Sequence, residues 1–140
     1  VYTGEPSSGK EFYKLLLGSQ EFCAELGRVT LAASQLEAEL ILLLKRKGVT
    51  HKVDGLTLGR LVRSARAHGA LDQKMLAALQ ELCGQRNYLT HNIYALFIEL
   101  ISETILARSN LIDTDVEIYI ERARQLRENL LGIAAIMEEQ

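Results

Sequence analysis

From Lys10 onward the apolar residues recur every third or fourth position: Phe12, Leu15, Leu16, Phe22, Leu26, Val29, Ala33, Leu36, Leu40 and Leu43. Such spacing lines one face of a helix and scatters over both faces of a strand. It rules out a β-rich fold for this stretch. The residues filling it, mainly Leu, Ala, Glu, Gln and Arg, are strong helix formers. The run reads either as one helix to about Lys47 or as two helices broken near Gly18 or Gly27. Its end is marked by Lys45, Arg46 and Lys47 followed by Gly48, a cation-then-glycine signature of a helix C-terminus.

The rest of the chain repeats the pattern. "GVTHKVDG" reads as a loop, and a short helix is expected from Thr57 to Ala67, stopped by Gly69. Asp72 suits the N-cap of the next helix. In that helix Met75, Leu82, Leu89 and Leu96 form one heptad position, and Leu79, Arg86, Ile93 and Leu100 form the other. It runs on to about Arg108 or breaks near Asn92. Thr114 with Glu117 three residues on is a capping box, opening a last helix over residues 115–138. The expectation is an all-α bundle of four to five mostly antiparallel helices, with residues 1–9 as a loose leader and 10–140 as one domain.

Composition narrows the function classes. Of 140 residues 48% are apolar, enough for a core. The net charge of −2 excludes a chain that is cationic overall, so any nucleic-acid contact needs a local basic patch. No stretch reaches the roughly 18 apolar residues of a membrane span. Cys23 and Cys83 are far apart and set among apolar residues. They read as buried free thiols of a protein in the reducing cytoplasm. Three scattered histidines offer no metal-ligand spacing, and no cofactor is expected.

All three histidines have an arginine five residues upstream: Arg46 and His51, Arg63 and His68, Arg86 and His91. A spacing found three times discriminates nothing by itself, so context must choose. Arg46 and His51 straddle a helix end. Arg60, Arg63 and Arg66 share one face of the short helix and read as a solvated basic face or as contacts for a phosphate backbone. Arg86 differs, because it occupies a core position of the heptad seam. A buried unpaired arginine costs several kcal/mol, so something must compensate. That is an internal carboxylate such as Glu37 or Glu81, a solvent cleft at the seam's end, or a partner surface. Asn87 lies one turn from His91, and Thr90 and Tyr94 lie one and two turns from Arg86. Convergent polar groups among leucines mark a candidate site.

Five residues rotate a straight α-helix to about 140° apart, so Arg86 and His91 do not share a face. Three solutions exist: the arginine stem reaches round, the helix distorts, or two copies of the helix meet and share a cleft. The shared cleft is favoured.

A long late helix carrying "RNYLTH", preceded by "RVTLAASQLEAELILLLKRKGV" and a short helix, resembles the HEPN superfamily of small helical ribonucleases. The resemblance covers roughly residues 28–94, with Arg86, Asn87 and His91 as the matched motif. It implies metal-independent RNA cleavage by 2′-hydroxyl attack, with Arg86, Asn87 and His91 catalytic. Thr90, Tyr94, Arg60, Arg63 and Arg66 are the expected substrate-binding residues. It also implies a homodimer through the motif helix, and a toxin or antiphage role, in some members alongside an antitoxin partner. In the subgroup whose tyrosine is modified by that partner, the tyrosine lies two residues after the histidine, whereas Tyr94 lies three after His91. The rival reading is a non-catalytic helical interaction module or regulatory partner subunit.

Overall fold

The apolar run that opens the chain is two helices, broken at Gly18. In the computed structural model, which describes residues 9–49, 52–94 and 116–140, α1 spans Gly9–Leu17 and α2 spans Gln20–Arg46. The Ser19 hydroxyl accepts from the Phe22 backbone N–H at 3.1 Å and so starts α2. Gly27 is carried inside α2 without a break. The helix stops where Gly48 turns into the left-handed region at φ +83°.

Helix α3 (Leu58–Ala67) follows. Its first free amide, that of Leu58, donates to Oε2 of Glu37 on α2 at 2.9 Å. A neighbouring helix thus supplies the cap that Thr57 does not. Gly69 (φ +61°) turns the chain, and Asp72 Oδ1 accepts from the Met75 amide at 2.8 Å to open α4 (Gln73–Asn87). The last helix, α5, is Val116–Glu139.

Cross-helix contacts set the directions. Gly59 near the start of α3 lies against Cys83 near the end of α4, so these two form an antiparallel hairpin. Helix α4 is also antiparallel to α5. Tyr88, just past the end of α4, meets Tyr119 at the start of α5, while Ala78 and Leu82 face Ile133 and Ile136 across a groove of about 410 Å³. The most extensive contact, between α2 and α5, is parallel. Glu21 reaches Arg124 (3.5 Å), Glu25 reaches Arg127 (3.2 Å), and Arg46 at the far end donates to the Met137 carbonyl (2.9 Å). The all-α bundle expected from the pattern is therefore present, with α2 running in the same sense as α5 and antiparallel packing of α4 against α3 and α5.

One core holds these helices. Leu36, Leu40, Leu43 and Leu44 of α2 meet Leu58 and Leu61 of α3, Leu79 of α4, and Leu126, Leu130 and Met137 of α5, all buried. Each such side chain contributes roughly 1.5–3 kcal/mol by leaving water. Cys23, expected in the interior, is exposed, because position 23 faces away from α5; both cysteines are free. No helix among the described residues is long and apolar enough to cross a membrane. Leu96, Leu100, the helix extension toward Arg108, the Thr114 cap, His51 and residues 1–8 lie outside the described residues.

Candidate functional site

Past Asn87 the helix changes pitch. Tyr88–Asn92 form a single π-helical turn, and helical backbone resumes at Ile93. The Thr90 hydroxyl donates to the Arg86 carbonyl at 2.7 Å, at the acceptor that an α-helix reserves for the amide four residues on. Thr30 bonds back to the Leu26 carbonyl at 3.2 Å inside an unbroken α2, so such a bond accompanies the turn and does not by itself make one. Two consecutive buried residues, Tyr88 and Leu89, hold the turn from inside. The Tyr88 and Tyr119 hydroxyls lie 3.3 Å apart, and Phe12 of α1 packs on the Tyr119 ring with centroids 5.3 Å apart.

This turn bears directly on the Arg86 and His91 spacing. A wider turn rotates the chain less per residue, so backbone positions five apart come nearer to one azimuth than the α-helical value of about 140°. Helix distortion, one of the three geometric solutions, is present at the motif. The His91 side chain lies outside the described residues, as does that of Asn92.

Arg86 closes α4 and is half-buried. Its Nε is buried without a hydrogen-bond partner, and among the described residues no carboxylate pairs with its guanidinium. The two carboxylates that could have neutralised it are engaged elsewhere. Glu37 caps α3, and Glu81 accepts from the Gln85 amide at 3.4 Å. Among the described residues, therefore, no internal ion pair compensates Arg86. Asn87 is half-buried beside it. Thr90 commits its proton to the Arg86 carbonyl. Tyr94 is 41% exposed, and its ring stands edge-on to Tyr13 at 4.6 Å, so α1 covers one side of the motif segment.

The basic face of α3 is exposed along its length. Arg60, Arg63 and Arg66 share it, and the helix has no acidic residue. The hairpin sets Arg60 at the end of α3 that abuts the last turn of α4, while Arg66 is carried to the far end. Only the Arg60 end is thereby brought toward Arg86. One member of each decoy pair has a plain structural role. Arg46 holds the last turn of α5, and His68 Nδ1 lies 2.9 Å from the Ser64 carbonyl at the end of α3.

Sequence reasoning missed one charged cluster. Glu25 is 5% exposed and faces Arg28 at 2.8 Å, Arg127 at 3.2 Å and Arg124 at 3.9 Å, and Arg124 also pairs with Glu21 and Glu121. Its three carboxylates and three guanidiniums balance. It clamps α2 to α5 and is far in sequence from the motif. The only sequence signal was a glutamate on the buried face of α2. Compared with known proteins, the chain matches no family model, no curated protein and no solved structure.

Proposed function

We propose that the chain is a metal-independent RNA endonuclease of HEPN type, with Arg86 and His91 as its catalytic pair. One observation carries the reading: a half-buried arginine with no carboxylate partner among the described residues, set directly before a π-turn that contains the histidine. Such turns are frequent at functional sites. A guanidinium left unneutralised among leucines is matched to a phosphate, which it grips through its fork of donors.

In this reading the ribose 2′-oxygen attacks the adjacent phosphorus and the bond to the 5′-oxygen breaks. The products are a 2′,3′-cyclic phosphate and a 5′-hydroxyl. His91 takes the proton of the 2′-hydroxyl or delivers one to the leaving oxygen, help worth about 10²- to 10⁴-fold. Arg86 stabilises the charge that builds on the phosphoryl oxygens. Asn87 orients the imidazole or the phosphate. Arg60, followed by Arg63 and Arg66, guides the RNA backbone along α3. An inhibitory partner protein and a cytoplasmic setting fit the same reading.

Substrates that differ only in the nucleophile test it. An RNA oligonucleotide is cut, while the same sequence bearing 2′-deoxy or 2′-O-methyl sugars is bound and left intact. Cleavage of the DNA strand at a comparable rate removes the 2′-hydroxyl mechanism. The rival reading, an interaction module, is favoured by one separate feature, the largely uncharged outer face of α2.

A further inference from the structure

The outer face of α2 has no charge over most of its length. At 100° per residue, Gln20, Ala24, Gly27, Gln35, Ala38 and Leu42 fall within about 40° of Leu31 on the wheel, and the one charge there, Lys45 at the C-terminal end, pairs with Asp54 at 2.9 Å. Leu31 is 72% exposed and Leu42 is 49% exposed. Single exposed leucines are ordinary, but two on one otherwise small and largely uncharged stripe are not. Gly27 keeps the stripe small, and a Cβ there would meet nothing within 4 Å, as at the helical glycines Gly84 and Gly132.

We infer that this face binds a second copy of the same chain, the two α2 helices packing antiparallel about a two-fold axis near Ser34. The argument is self-complementarity. About a point between Ala33 and Ser34, Leu31 falls opposite the space between Gln35 and Ala38 of the other copy. Leu42 falls opposite the space between Ala24 and Gly27. Each large residue thus meets small ones. On one edge of the stripe Arg28 falls opposite Glu39, while the symmetric pair Glu21 and Arg46 is engaged within the chain, with Arg124 and the Met137 carbonyl. Opposite charges at such flanking positions select orientation and register. A parallel two-fold pairing would instead put the two copies of this edge on opposite sides of the interface, where Arg28 and Glu39 do not meet. The guanidinium of Arg28 is 54% exposed while it holds Glu25 at 2.8 Å, which leaves donors free to face outward.

This interface is separate from the motif segment, so its failure and the failure of the nuclease reading are distinguishable. Sedimentation velocity of the purified chain over a wide concentration range tests it. The expected result is a reversible monomer–dimer equilibrium, weakened roughly tenfold or more in Leu31→Glu/Leu42→Glu, with the helical circular dichroism of the variant unchanged. Register is read separately in a Cys23→Ser background. Gln35→Cys, near the axis, forms a disulfide-linked dimer on air oxidation, and Leu42→Cys, far from it, does not. A monomer at every concentration overturns the proposal and leaves the face to a different protein. A dimer that persists in the double glutamate variant also overturns it, since the contact then lies elsewhere.

Discussion

Arg86 interrupts a leucine seam, and among the described residues no carboxylate pairs with it. Thr90 stands one helical turn further on. One hydroxyl bonding back to the Arg86 carbonyl is a matter of local geometry, and nothing in the residue spacing distinguishes it from a solvated threonine. Replacing Thr90 by valine keeps the shape and removes that bond. The expected loss is about 1 kcal/mol in urea unfolding, with a drop in RNA cleavage larger than the stability change explains. Gly84→Ala tests the opposite kind of residue. Its Cβ meets nothing within 4 Å, so denaturant unfolding is expected to show a gain of roughly 0.5–1 kcal/mol.

Helix boundaries were readable wherever a cap or a left-handed glycine marks them, as at Asp72, Gly48 and Gly69. The choice between Gly18 and Gly27 as the break in the first run was not. It was decided by Ser19, whose hydroxyl caps α2 right after Gly18, whereas Gly27 has no cap beside it. The parallel pairing of α2 with α5 was equally hidden. It depends on Glu25 meeting Arg124 and Arg127, and no local pattern encodes a contact across so much intervening chain. Breaking this clamp has a definite cost. Glu25→Gln leaves the Arg127 guanidinium, 26% exposed, without its carboxylate. The expected destabilisation in thermal or chemical unfolding is about 3 kcal/mol, the low end for a buried pair because Arg127 still reaches water. Raising the salt concentration recovers little of it, since buried pairs are weakly screened.

At the scale of the molecule, the bundle sorts three arginine–histidine spacings that the sequence offered as equals. Arg46 is held by the last turn of α5, and His68 sits against the carbonyl of its own helix. Only Arg86 is left before a distorted turn, with the basic face of α3 beginning beside it. The most direct measurement is cleavage of mixed RNA by the purified protein in EDTA, with product ends identified. The wild type, His51→Ala and His68→Ala are expected to yield 2′,3′-cyclic phosphate ends at equal rates. Arg86→Ala and His91→Ala, folded by circular dichroism, are expected to be at least about 10²-fold slower. Equal cutting by all five proteins, or cutting by none, would contradict the assignment.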